Sequence, residues 1–112
     1  MWVDEEKTLW EERSRDIWQL PIVSYDGEHC GNVIAQIVEP QECLVRYLVV
    51  FSHGQERHYL LPCETVAKID QAVHCQATAA NLRQLPSFPM RISRNLEWQV
   101  YKALDCTPYW EQ

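Results

Sequence analysis

The stretch that decides the fold is "VRYLVVFSHGQERHYLLP", residues 45–62. Apolar side chains run unbroken from Tyr47 to Phe51, a polar SHGQ segment follows, and a second apolar rise stops at Pro62. In an extended chain alternate side chains point to opposite faces, so Val45, Tyr47, Val49 and Phe51 share one face and Leu44, Arg46, Leu48 and Val50 the other. Two strands account for this, Leu44 to Phe51 and Glu56 to Leu61, joined by a hairpin in which Gly54 is free to take positive φ. Pro62 has no N–H to give to a ladder and ends the pairing.

Toward the N-terminus, "PIVSYDGEHCGNVIAQIVEPQE" offers a strand from Ile22 to Tyr25, a hairpin-type turn at Asp26-Gly27, and a longer strand from Cys30 to Val38. In that strand Val33, Ala35 and Ile37 alternate with Ile34, Gln36 and Val38, so both faces are largely apolar. Such a strand is packed on both sides, or bends at Gly31 to close a barrel. Beyond Pro62, "CETVAKIDQAVHC" reads as a tight turn and one or two short strands. Short strands that are apolar on both faces do best by closing on themselves, which removes exposed edges. The expectation is a mainly β fold: a small closed antiparallel β-barrel over residues 16–76, with short C-terminal helices.

Residues 77–112 change character. Thr78 can cap a short helix ended by Pro86, and Ser93 can cap a longer one over "RNLEWQVYKALD". Leu96, Val100, Ala103 and Leu104 fall on one face of the latter, with Trp98 and Tyr101 as a second apolar ridge. This extension is expected to pack on the barrel or on a second subunit. Residues 1–15 form an acidic N-terminal segment. The spacing of Trp2, Leu9, Trp10, Ile17 and Trp18 is compatible with helix, Thr8-x-x-Glu11 fits a capping box for a shorter one, and Trp18 reads as core.

The chain has 112 residues and a formal net charge of −6. At that length a single domain buries roughly two-thirds of the surface its unfolded chain exposes, enough to fold without staples. Residues 1–12 carry Asp4, Glu5, Glu6, Glu11 and Glu12 against Lys7, a balance of −4 that leaves −2 for the rest. Binding to phosphate backbones needs a basic footprint, so no direct nucleic-acid binding is expected. No apolar run approaches the ~20 residues of a membrane-spanning helix, and the N-terminus is acidic where a signal peptide is basic and then apolar. The expected location is cytoplasmic, or peripheral to a membrane complex through a partner. Cys30, Cys43, Cys63, Cys75 and Cys106 are odd in number with no C-x-x-C pair, and read as reduced thiols.

Candidate chemistry has plainer readings beside it. His29-Cys30 and His74-Cys75 repeat one dipeptide, but neighbouring strand residues face opposite ways and a zinc site needs four convergent ligands. His53 and His58 flank Glu56 at a hairpin tip, where polar residues are ordinary. Glu64 is a carboxylate at a strand end, or a residue that caps the turn. Nucleophile elbows and glycine-rich phosphate cradles are absent from the sequence. No catalytic residue, metal or cofactor is therefore expected. Trp98, Tyr101, Tyr109 and Trp110 lie outside the strands, near Arg91 and Arg94, and form the candidate interaction surface. Packing within the monomer and burial by a protein partner both account for them, and a two-fold homodimer is the commonest way to bury such a surface.

The strand pattern resembles the PRC-barrel domain. Its motif falls on Asp26, Gly27, Gly31 and Val33, on Arg46, Tyr47, Leu48, Val49 and Val50, and on Leu61 and Pro62. The continuation through residue 104 looks like the tail of stand-alone bacterial members. The resemblance implies a small closed barrel with no enzyme activity of its own. That domain serves as the cytoplasmic part of the H subunit of purple bacterial photosynthetic reaction centres, and occurs in ribosome maturation factors. The function it implies is a non-catalytic adaptor or scaffold for complex assembly, linked to photosynthetic or electron-transport complexes. A ribosome-assembly factor is the alternative, and a metal- or redox-sensing module the second alternative.

Overall fold

The computed structural model describes residues 10–12, as backbone, together with 17–39 and 44–111. Among the described residues seven strands run in chain order: β1 (Trp10–Glu12), β2 (Pro21–Val23), β3 (His29–Glu39), β4 (Leu44–Ser52), β5 (Arg57–Pro62), β6 (Val66–Ile69) and β7 (Val73–Cys75). Two helices follow, α1 (Ala79–Arg83) and α2 (Arg94–Ala103), and single 3-10 turns occupy Cys63–Thr65 and Tyr109–Glu111. None of the described helices is long and apolar enough to cross a membrane.

The strands form one sheet in the order β5-β4-β3-β2-β7-β6. β3 is long enough to hold two partners on one edge, β2 near its start and β1 near its end. Thus Trp10–Glu12 are strand, not the helix that their spacing suggested; the remainder of that acidic segment lies outside the described residues. Pairing is antiparallel except between β2 and β7, which run parallel.

Strand order and connectivity together require the sheet to curl. Laid flat, five inter-strand steps of about 4.8 Å would put β5 and β6 roughly 24 Å apart. The Cys63–Thr65 turn joins them directly, and four virtual bonds span at most about 15 Å. The two outer strands are therefore brought together, yet no ladder joins them among the described residues. The sheet is a curled, open one, and the closed antiparallel barrel expected from the strand pattern is not seen. At that seam Pro62 has no N–H to give to a ladder, and its carbonyl is taken by Thr65 Oγ1 at 2.7 Å.

The core is built as the alternation dictates. Val33, Ala35 and Ile37 of β3 point inward while the intervening residues are half-buried. In β4 four consecutive residues, Tyr47 to Val50, are buried, and so are Tyr59 to Leu61 of β5. Consecutive burial means that both faces of β4 and β5 are covered. The second cover is the C-terminal extension of the same chain: Leu82, Leu85, Phe88, Ile92, Leu96, Val100 and Tyr101 belong to the same core cluster. Phe88 N donates to His58 O at 2.8 Å, which also shields the outer edge of β5.

Local turns differ from expectation at two places. In the β4–β5 hairpin it is Glu56, at φ 51°, that takes the left-handed conformation rather than Gly54. Trp18, read as core, is 48 % exposed, because the turn at 17–19, with Gln19 at φ 70°, points it outward while Ile17 and Leu20 pack inward.

Two motif glycines serve different ends. Gly27 (φ 86°) closes the β2–β3 hairpin in open space, whereas Gly31 (φ 124°) lies where a Cβ would fall 2.6 Å from Phe51 O and 2.7 Å from Val50 Cγ1. Gly31→Ala therefore combines backbone strain with a clash between β3 and β4, and is expected to cost about 3 kcal/mol or more. Gly27→Ala meets only the backbone strain, about 1 kcal/mol. Urea unfolding midpoints of the two variants check this difference; equal losses would contradict it.

Candidate functional site

The C-terminal aromatic residues are organised by α2. Ser93 Oγ accepts from Leu96 N at 3.1 Å and starts the helix where the sequence places its cap. At about 100° per residue, Leu96, Val100, Glu97 and Tyr101 span an arc of roughly 140°, and all four are buried. Trp98 lies about 60° beyond Tyr101 on the same wheel, enough to leave it 43 % exposed while Tyr101 is fully buried. The ridge expected from these two residues is thus split between surface and core.

Two buried phenols tie α2 to the sheet. Tyr47 Oη, from the middle of β4, donates to Glu97 Oε1 at 2.6 Å, and Glu97 is fully buried. Tyr101 Oη donates to Glu64 Oε2 at 2.7 Å, so Glu64 anchors the helix rather than capping its own turn. The rings of Tyr47 and Tyr101 meet edge to face with centroids 6.1 Å apart. Burial pushes both phenols far above the ordinary tyrosine range, and for Tyr101 the bond to Glu64 adds to that shift.

Around this pair the tail folds back. Arg46 holds Glu39 Oε2 through Nε at 3.0 Å and Nη2 at 2.7 Å, and its guanidinium lies 4.1 Å over the ring of Tyr109. Arg94 stacks 3.8 Å over Trp110 and 5.8 Å from Tyr109. Trp110 meets Trp98 edge to face at 5.4 Å and Tyr101 at 5.8 Å. Such guanidinium–ring contacts are each worth about 0.5–1 kcal/mol when exposed and more when desolvated, so the tail is fixed by several modest contacts acting together. Burial also raises the Tyr109 phenol, with Arg94 and Arg46 opposing.

Of the expected surface residues, Trp98, Tyr101, Arg94, Tyr109 and Trp110 do come together. Arg91 does not: it is exposed before α2 and makes no hydrogen bond, ion pair or ring contact among the described residues. The sequence reading missed Glu97 as a member, and placed Arg46 and Tyr47 in the strand motif alone. A clue to Glu97 was its position four residues before Tyr101, on one helix face with it. On the outer side Trp98, Tyr101, Lys102, Asp105 and Cys106 line a shallow groove of about 410 Å³.

The histidines and cysteines are dispersed. His74 pairs with Asp70 at 2.9 Å, and His58 and His53 pack on Phe51 with centroids 5.0 and 4.8 Å away. Cys30, Cys63, Cys75 and Cys106 form no disulfide, and Cys43 lies outside the described residues. Among the described residues no three His, Cys, Asp or Glu side chains gather as a metal site would require.

A family model, PRC-barrel domain, matches residues 11–82. No curated protein matches the chain. The match contains Arg46, Tyr47 and Glu64, whereas α2 and the aromatic tail lie beyond it.

The half-buried Cys63 thiol and the buried phenols give an alkaline limit to stability. Burial, with Glu64 adding, pushes Cys63 from 9.0 up to about 12. The unfolded chain loses that proton near pH 9 and the folded chain near 12, so the contribution is complete below pH 9 and declines as pH rises to 12. Tyr47, Tyr59 and Tyr101 act in the same direction above pH 10. Unfolding free energy measured from pH 8 to 11 is expected to fall, less steeply in Cys63→Ala; a flat profile would contradict the burial described.

Proposed function

The chain belongs to the PRC-barrel family, and from that membership we propose that it is a non-catalytic interaction module, docking protein through the outer face of α2 and the Tyr109–Glu111 tail. The observation that carries the reading is Trp98: a large aromatic side chain held 43 % exposed above a packed cluster of Tyr101, Tyr109 and Trp110. Tryptophan, tyrosine and arginine dominate binding energy at interfaces, and they do so when neighbours fix them beforehand and lower the entropy lost on docking. Lys102 and Asp105 supply opposite charges at the rim of the groove, the pattern of an interface edge.

A second copy of the chain is the simplest occupant, since two-fold pairing buries the same patch on both partners. The family's occurrence in photosynthetic reaction centres supports a role in assembling electron-transport complexes as the setting. In the ribosome-assembly alternative the contact would again be with protein, since a chain of net charge −6 is poorly suited to RNA.

Trp98→Ala is the informative variant, because Tyr101→Ala would remove a core ring at a cost of about 3–5 kcal/mol and confuse docking with unfolding. Trp98→Ala is expected to cost clearly less than that, about 1–2 kcal/mol for the lost contact with Trp110, and to leave the chain folded. It should weaken self-association, read by sedimentation equilibrium, by roughly 30-fold, as a hot-spot loss of 2 kcal/mol implies. An unchanged dimer constant would remove this face from the account.

A further inference from the structure

A second concavity lies at the other end of the sheet, between the start of β3, the β4–β5 hairpin tip and the end of α1. It measures about 270 Å³; its floor is Tyr59 and Leu82, both buried, and its rim includes His29, His53, Gln55 and Arg83. Its polar groups are mostly donors left without acceptors. Tyr59 Oη already donates to Cys30 O at 2.7 Å, and Gln55 Oε1 already accepts from Arg57 Nε at 3.0 Å, which leaves the Gln55 amide N–H groups. Neither imidazole has a hydrogen-bond partner among the described residues, His53 being held only through its ring on Phe51.

Arg83 is engaged through Nη2 alone, at 3.2 and 3.3 Å from the two oxygens of Glu28, leaving Nε and Nη1. That pair is more than half exposed on both sides, so it is worth at most about 1 kcal/mol and is open to exchange. The other nearby carboxylate, Asp26, is already committed: it accepts from Ser24 Oγ and from Ala79 N, bonds that hold it below the usual carboxylate range. The cleft thus gathers a guanidinium, two imidazoles and an amide with no acid on its lining, on a chain that is otherwise acidic.

We propose that this cleft binds a small molecule bearing an oxyanion, a phosphate or a carboxylate, with Arg83 as the charged anchor and His29, His53 and Gln55 as further donors. An oxyanion is the complement of such a lining because it is an acceptor only and forms charge-assisted bonds with a guanidinium. The volume falls just below the ~300–1,000 Å³ of pockets for drug-sized ligands, which favours a short acid or a simple phosphomonoester over a dinucleotide. This site is independent of the docking face on α2.

The test is a ¹H–¹⁵N NMR titration of the whole chain with inorganic phosphate and, separately, citrate, against sodium chloride at matched ionic strength. Saturable shifts are expected at residues 29–31, 53–55 and 83, and the tighter of the two probes identifies the anion type. Arg83→Ala should weaken binding roughly tenfold, the loss of one charge-assisted bond. Glu28→Gln, by releasing the guanidinium, should tighten it several-fold, an effect that a merely structural ion pair would not give. Shifts no larger than those in chloride, shifts scattered over Lys68, Arg91 and Lys102, or an Arg83→Ala variant with unchanged affinity would overturn the proposal.

Discussion

The hydrogen bond from Tyr47 to Glu97 is the contact on which the rest of this molecule depends. Tyr47 sits in β4, paired with Ile37 of β3 on one side and Pro62 of β5 on the other, so its position is fixed by the centre of the sheet. Its hydroxyl is buried and needs a partner, and Glu97 needs one equally, since an uncompensated buried carboxyl group costs several kcal/mol. Apolar burial is non-directional, whereas a buried polar pair must meet atom to atom. The polar pair permits one register, and that register sets Trp98 outward and Tyr101 inward.

The two concavities have opposite chemistry and a common origin. At one end α2 and the tail build a surface of rings and guanidinium planes; at the other, the hairpin tip and α1 leave donors around a small hollow. In both, an arginine from a strand holds the C-terminal extension. Arg46 stacks under Tyr109, and Arg57 donates to the carbonyls of Leu82, Arg83 and Leu85 at the end of α1. A guanidinium is suited to that place because the last carbonyls of a helix have no partners of their own. The extension is therefore joined to the sheet by side chains from β4 and β5, and these two strands hold both surfaces.

What could be read from the sequence was what depends on neighbours in the chain. The β4–β5 hairpin, the Asp26-Gly27 turn, the helix starts at Thr78 and Ser93 and the inward row Val33, Ala35, Ile37 follow from periodicity and caps. What could not be read depends on contacts between distant segments. β1 is a strand because the far end of β3 offers an edge, which overrides a spacing that suits helix. At the open seam the Pro62 carbonyl is taken by Thr65 within the turn. Trp98 and Tyr101 are equally aromatic and three residues apart; the buried links from Tyr47 to Glu97 and from Tyr101 to Glu64 decide which is inside. The candidate surface was legible as a cluster of residues, whereas the buried polar link that orients it was not.

A double-mutant cycle between Tyr47→Phe and Glu97→Gln, read by urea unfolding, tests the central link most directly. Both substitutions nearly preserve shape, so the coupling isolates the interaction between hydroxyl and carboxyl group. A coupling of about 1 kcal/mol is expected for such a buried hydrogen bond. A coupling indistinguishable from zero would mean that this bond does not hold α2, and that the placement of Trp98 does not rest on it.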